Sequence, residues 1–295
     1  MQVYRPNIFK EHIRDEKLLW LDKNENINEN LLKFIKKKTT LTKEIISSYP
    51  NLSTTYIKLA NFYNVNKYSL LLSHGSDGGI QNVFQALIKK NNLVILSSPT
   101  FAMYDVYSKA FDAKITYIKY IHNQKGKISL DLNSLFKVLK KKPKLLCLPN
   151  PDSPTGSIID EKTLNQIIKL CNKIGCYVLI DEAYHLYYEK SQIKKINQYK
   201  NLIIVKSFSK AFGLAGLRAG CLISNIETIK YLKSFKPMYE INHFCAEVLN
   251  TIFTKKGIEI VKRSINETKK GKKFFINFIK KKKLKFLDSH GNFIH

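Results

Sequence analysis

The sequence predicts an α/β fold: a mostly parallel sheet with helices on both faces. Three observations lead there. From residue 70 onward, short apolar runs recur without polar–apolar alternation, longer amphipathic segments separate them, and turn-forming residues stand at the ends of the runs. A strand covered on both faces has no solvent side, so it reads as continuous Val, Ile and Leu.

The elements follow in order. Residues 92–97 (Asn-Leu-Val-Ile-Leu-Ser) read as a buried strand, 101–111 as a helix and 114–119 as a strand. A helix over 132–140 follows Asp131, whose carboxylate suits an N-cap, and 144–148 is a strand. Asp160 caps a helix over 161–173, and 176–180, 202–205 and 220–223 are short apolar strands. From residue 225 to 283 the pattern is almost wholly helical, and 284–288 reads as a final strand.

Bulk properties bound the function. A chain of 295 residues, 44% hydrophobic, can bury a large core. No apolar run reaches the roughly 18 residues a membrane span needs. Residues 1–20 carry Arg5, Lys10, Glu11, Arg14, Asp15 and Glu16, which denies them the apolar centre of a signal peptide. Cys147, Cys171, Cys176, Cys221 and Cys245 are odd in number and include no CxxC pair, so buried thiols in a reducing cytoplasm are expected. The net charge of +27 invites a polyanion partner, but only Arg5, Arg14, Arg218 and Arg263 are arginines against 46 lysines. Phosphate and base edges favour the arginine fork, so a solvated lysine surface is expected, with no nucleic-acid role and no membrane partner. The seven histidines show no HExxH or paired ligand spacing, and no metal site is expected. Tyr184-His185-Leu186-Tyr187-Tyr188 reads as a strand edge packing aromatics rather than a ligand site.

In an α/β sheet, ligands sit beyond the carboxyl ends of the strands, and four segments place unusual residues there. Ser73-His74-Gly75-Ser76-Asp77-Gly78-Gly79 precedes an amphipathic run, 80–88. Its glycines let backbone amides approach an anion at a helix N-terminus, although a plain loop with a Ser or Asp cap reads equally well. Asn150-Pro151-Asp152-Ser153-Pro154-Thr155-Gly156 is a rigid turn after a strand; it either presents side chains to a pocket or only turns the chain. Asp181-Glu182-Ala183-Tyr184 ends another strand, where a carboxylate is costly without a cationic or protonated partner; the bland reading is a cap on the next turn. The run from Ser207 to Arg218 surrounds Lys210 with Ser209, Gly213, Ala215 and Gly216. That crowding suits a partly desolvated, nucleophilic amine, although one lysine among 46 carries little weight alone.

Taken together and in this order, the four segments resemble the class I/II (fold-type I) pyridoxal-phosphate aminotransferases, most nearly the histidinol-phosphate aminotransferase branch, over residues 21–293. The resemblance implies a mostly parallel seven-stranded sheet between helices with an incomplete α+β small domain. It divides the chain into an N-terminal arm (1–30), a cofactor-binding large domain (31–235), and linking helices with the start of a small domain (236–295). It implies that Lys210 forms a Schiff base with pyridoxal 5'-phosphate and shuttles the proton between the substrate carbon and the cofactor's C4′. Asp181 would face the ring nitrogen, Tyr184 the phenolic oxygen and Phe101 the ring face. Ser76, Asp77, Ser207, Ser209 and Arg218 would hold the phosphate, and Tyr49 would reach the phosphate of a second subunit, which implies a homodimer. Asp22-Lys23-Asn24-Glu25-Asn26 matches the family's segment near the substrate.

Two departures stand out. Ser153 occupies the position of the asparagine that meets the cofactor's phenolic oxygen, and Asp152 beside it is either an extra carboxylate at the site or a solvent-facing one. Ser289-His290-Gly291-Asn292-Phe293-Ile294 matches the start of a small domain that in the family runs on for roughly fifty to eighty residues and holds a carboxylate-clamping arginine. A sequence cut short is the expectation here.

The activity implied is amino transfer in amino-acid biosynthesis, from an amino donor such as glutamate to a 2-oxo acid or keto-phosphate. Two alternatives share the same residues: decarboxylation of a phosphorylated amino acid, and an impaired relic that binds without turnover.

Overall fold

The computed structural model describes residue 15, residues 17 and 18, 20–122 and 128–295. Most of the charged segment 1–20, with Arg5, Lys10, Glu11, Arg14 and Glu16, therefore lies outside the described residues. The helices and strands, in chain order, are α1 (Glu29–Lys38), α2 (Lys43–Ser47), α3 (Ser53–Tyr63), β1 (Leu70–His74), α4 (Gly75–Leu87), β2 (Leu93–Ser98), α5 (Ala102–Ala110), β3 (Lys114–His122) and β4 (Ile128–Leu130). There follow α6 (Leu132–Leu139), β5 (Leu145–Pro149), α7 (Glu161–Ile174), β6 (Tyr177–Asp181), β7 (Leu202–Ser207), β8 (Ala219–Ile223), α8 (Ile226–Lys233), α9 (His243–Ile252) and α10 (Lys255–Lys281).

The expected caps form. Asp131 accepts from the Ser134 amide at 3.1 Å, and Asp160 from the Thr163 amide at 3.0 Å, each relieving one orphan donor of a first turn. The sheet runs β1-β8-β7-β6-β5-β2-β3-β4. β8 is antiparallel to both neighbours and β4 to β3, while the ladders joining β7, β6, β5, β2 and β3 are parallel. Alternation along each strand divides the core. Val94, Leu96, Cys147, Leu179 and Val205 pack on one face of the sheet; Ile95, Leu146, Leu148, Ile180 and Ile204 pack on the other. Both faces are covered, which is why these strands read as unbroken apolar runs. All five cysteines are free and buried, as expected.

Three expectations need correction. The sheet has eight strands rather than seven, and β1 and the three-residue edge strand β4 are the two that the sequence reading does not contain. Residues 284–288 form no strand of this sheet; Leu287 and His295 instead exchange backbone hydrogen bonds, so the extended segment pairs with the chain's own end. Residues 184–188 are a turn, not a strand edge: the Asp181 carboxylate accepts from the Ala183 amide at 2.9 Å, and the Tyr187 amide donates to the Tyr184 carbonyl at 3.0 Å.

Candidate active site

The carboxyl ends of β1, β2, β5, β6 and β7 lie along one edge of the sheet, and the start of β8 meets it because Ala219 pairs with His74 and Gly220 with Ser207. A cavity of about 520 Å³ opens there. Every candidate residue except Tyr49 lines it: Ser76 and Asp77 from α4, Phe101 after β2, Ser153 after β5, Asp181 and Tyr184 from β6 and its turn, and Ser207, Ser209, Lys210 and Arg218 from β7 onward. Tyr49 stands elsewhere, 78% exposed and stacked on Tyr239 with ring centroids 4.4 Å apart.

One end of the cavity is built for an anion. α4 begins at Gly75, so the glycine-rich stretch expected as a loop is itself the helix's first turn. That turn aims unpaired amides and the positive end of the helix dipole outward. Two close approaches make it possible. A Cβ on Gly220 would lie 2.5–2.6 Å from backbone atoms of Gly75, Lys206 and Ser76, and a Cβ on Gly75 would lie 2.9 Å from the Arg218 guanidinium. Arg218 itself takes a left-handed backbone, φ 52°, a conformation that costs a side-chain-bearing residue roughly 1 kcal/mol. Its guanidinium donates to Ser209 Oγ at 3.4 Å. Asp77, which would repel an anion, is tied back by the Tyr107 hydroxyl at 2.9 Å.

The floor is a buried carboxylate. Burial pushes the Asp181 carboxyl up to about 6, against hydrogen bonds from the Ala183 amide and the Tyr104 hydroxyl that favour its charged form. No cation pairs with it at hydrogen-bond range among the described residues, so it is suited to a cationic or protonated group in the cavity. Burial also lowers the Lys210 amine, and Arg218 pushes the same way, with Glu25 and Asp181 opposing. The Lys210 ammonium donates to the Lys23 carbonyl at 2.7 Å and sits 5.9 Å from the centre of the Tyr184 ring.

Sequence reasoning missed several neighbours. Tyr104 is fully buried in α5 and carries no motif. Glu182 and Lys206, each 2% exposed, form an ion pair beneath the site, with Glu182 also accepting from Ser191 Oγ at 2.6 Å and the Gln192 amide at 2.9 Å. Asn24 lines the cavity and donates to the Tyr184 hydroxyl at 3.1 Å. Asp152 does not face solvent: it is 1% exposed, and it is a carboxylate near the site whose charge pushes the Asp181 carboxyl and the Tyr184 hydroxyl up. Its Oδ2 accepts from the Thr155 amide at 3.0 Å and from the Thr155 hydroxyl, shaping the turn that carries Ser153.

Comparison with known proteins identifies the family. The family model described as aminotransferase class I and II matches residues 16–295. A histidinol-phosphate aminotransferase from Caldanaerobacter subterraneus subsp. tengcongensis is 33% identical over 288 residues, 93% of this chain and 77% of that protein. Another from Methanocaldococcus jannaschii is 29% identical, over 96% of this chain and 75% of its own length. Among solved structures, the histidinol-phosphate aminotransferase from Sinorhizobium meliloti in complex with pyridoxal-5'-phosphate superposes with a TM-score of 0.81 at 17% identity, covering 92% of this chain and 73% of that one. An L-threonine-O-3-phosphate decarboxylase from Porphyromonas gingivalis shares the fold with a TM-score of 0.71 at 19% identity, over 90% of this chain and 80% of its own. On the match over residues 16–295, the chain belongs to the class I and II aminotransferases.

Proposed function

We propose that the cavity holds pyridoxal 5'-phosphate and that the chain moves an amino group from an amino acid, glutamate being the expected donor, to a 2-oxo acid or keto-phosphate. Family membership makes it a transaminase; the residue roles and substrates are our reading. The phosphate would be held by the backbone amides of the first turn of α4 at Ser76 and Asp77 with the side chains of Ser207, Ser209 and Arg218, and the ring by Phe101, Asp181, Ser153 and Tyr184. When bound, the cofactor supplies an aldehyde and a protonated pyridine ring that draws electrons away from the substrate carbon.

The protein's own groups do the rest. Asp181, a buried carboxylate suited to a cationic partner, would face the ring nitrogen and favour its protonated form. Lys210, with its amine made easier to deprotonate by burial, would hold the cofactor through its aldehyde carbon and would carry the proton at the substrate carbon. Tyr184 orients the phenolic oxygen. The observation that carries this reading is the pairing of a buried carboxylate and a lysine of lowered basicity in one cavity, with an anion-ready helix turn at its end.

We also read the chain as an N-terminal arm (1–30), a cofactor domain (31–235) and a C-terminal part (236–295), acting in the cytoplasm as a homodimer. The exposed Tyr49–Tyr239 stack is support for the last of these, as an aromatic surface open to a second copy. Protein incubated with pyridoxal phosphate, reduced with borohydride and digested should carry the cofactor's mass on the Lys210 peptide, and Lys210→Ala should not. A label distributed over surface lysines, or none, sinks the reading. Formation of 2-oxoglutarate from glutamate, without release of carbon dioxide, separates amino transfer from decarboxylation.

A further inference from the structure

The Tyr184 hydroxyl is held by Asn24, within the segment that resembles the family's near-substrate one but for which the sequence names no partner. Asn24 reaches it from residues 22–25, which line the cavity, and this segment is anchored at two points. On one side Asn26 donates to the Ala211 carbonyl at 3.0 Å and to Ser264 Oγ of α10 at 2.8 Å. On the other, Asn292 donates to the Asn24 carbonyl at 2.9 Å, across 268 residues of sequence. Asn292 is in turn placed by its own segment: Lys272 of α10 donates to the Ser289 and Gly291 carbonyls, and Phe293 packs edge-on against the Tyr184 ring with centroids 5.2 Å apart. Asn24 adopts φ 55°, a left-handed backbone that asparagine tolerates better than most side-chain-bearing residues.

We propose that Asn24 is a positioning residue for Tyr184, its carboxamide N–H fixed on the phenol oxygen by Asn292 so that the Tyr184 O–H is directed into the cavity. An N–H donor on that oxygen occupies a lone pair and makes the hydroxyl a stronger donor itself. The need for it is physical. Burial holds the Tyr184 proton tightly, Asp181 and Asp152 act in the same direction, and Asn24 and Ser153 are the hydrogen-bonding groups that oppose them, with Lys210 close to the ring. The consequence for a bound cofactor rests on the functional reading above: a better-directed hydroxyl favours the anionic phenolic oxygen and lowers the pH at which the bound cofactor's visible band titrates.

The test uses Asn24→Gly, which removes the carboxamide and keeps the left-handed backbone, and Asn24→Asp, which keeps the shape and removes the donor. Two quantities are read in the full chain: the Tyr184 Cζ resonance in ring-labelled protein without cofactor, assigned by its loss in Tyr184→Phe, and the pH midpoint of the visible band after pyridoxal phosphate is added. Both variants should move the resonance and raise the midpoint by about one pH unit, the size of one hydrogen bond to a charged group. Asn292→Ala should act in the same direction, and the Asn24→Gly/Asn292→Ala double variant should go no further than Asn24→Gly alone, because Asn292 acts through Asn24. A purely structural Asn24 would lower the melting temperature and leave both readouts in place; that result overturns the proposal, as does full additivity of the two substitutions. If the resonance moves but no cofactor attaches at Lys210, Asn24's positioning of Tyr184 is supported and the functional reading fails.

Discussion

Tyr104 donates its hydroxyl to Oδ2 of Asp181 at 2.9 Å, from a position in α5 with no exposure to solvent. The contact makes α5 part of the site, since a side chain of that helix holds one carboxylate oxygen while the Ala183 amide holds the other at 2.9 Å. The anionic form of Asp181 is thus held by two hydrogen bonds, yet burial still outweighs them and leaves the carboxyl near 6 rather than near 3.8.

This gives a pH signature in the cofactor-free protein. Because the folded value lies above the unfolded one, the folded state holds the extra proton between about pH 4 and about pH 6, and stability falls as pH rises through that window. Above it, the charged Asp181 costs the fold on the order of 3 kcal/mol. Asp181→Asn should therefore match the parent protein in urea denaturation at about pH 3 and exceed it at about pH 7.5. Tyr104→Phe removes a donor to the anion and should push the window upward. Equal parent–variant differences at both pH values would refute the account.

The Lys206–Glu182 pair makes a second prediction. Both side chains are 2% exposed, and the Lys206 ammonium also lies 5.5 Å from the Tyr63 ring centre. Lys206→Met strands a buried carboxylate and should cost about 3–5 kcal/mol in chemical denaturation. Adding Glu182→Gln removes the charge and keeps one carbonyl oxygen to accept from the Gln192 amide, while its NH2 can donate to the Ser191 hydroxyl, so the double variant should recover more than half of that loss. A double variant as unstable as the single one would mean the cost is packing, not charge.

What was legible in the sequence was local. Asp131 and Asp160 cap helices through contacts three residues away, and the buried strands announce themselves because each face is covered. Lys210, Asp181, Tyr184 and Arg218 could be brought together because each follows or precedes a strand end, and strand ends of a parallel sheet share one edge. The misses are contacts between distant residues. Tyr104, unremarkable in its own segment, meets Asp181 across 77 positions, and Asn24, in a segment matched to the substrate region but with no partner named, meets Tyr184 across 160. Lys206 was hidden among 46 lysines; only its place inside the apolar run Leu202–Ser207 marked it as buried. The 284–288 segment has strand composition but no sheet neighbour, and composition cannot supply one.

Gly156 offers a third prediction. It takes φ 69°, and a Cβ there would lie 1.9 Å from the Ser289 Cβ and 2.5 Å from its Cα, while the His290 amide donates to the Gly156 carbonyl at 2.8 Å. The 289–293 segment is therefore seated directly on the turn that carries Ser153. Gly156→Ala should unseat it, seen as faster backbone amide exchange at residues 290–293 and a loss of about 2 kcal/mol or more in denaturation. Unchanged exchange there would show that the segment is not held by this contact.

The same substitution should have opposite signs at two other glycines. At Gly220 a methyl group would meet three backbone atoms at 2.5–2.6 Å, the Lys206 carbonyl of β7 and two in the turn Gly75–Ser76, and the latter two cannot yield without moving the start of α4. Gly220→Ala should destabilise the fold by about 2 kcal/mol or more and weaken binding of pyridoxal phosphate further than the stability loss alone explains, because the displaced amides are those proposed to hold its phosphate. Gly271 lies inside α10, exposed, and a methyl group added there would meet no atom of another residue within 4 Å beyond its own turn of helix. There alanine removes backbone freedom from the unfolded chain and clashes with nothing, so Gly271→Ala should stabilise by about 0.5–1 kcal/mol with cofactor binding unchanged. Denaturation curves paired with cofactor titrations decide both, and a Gly220→Ala protein that folds and binds like the parent would show that α4 can shift without loss of its anion site.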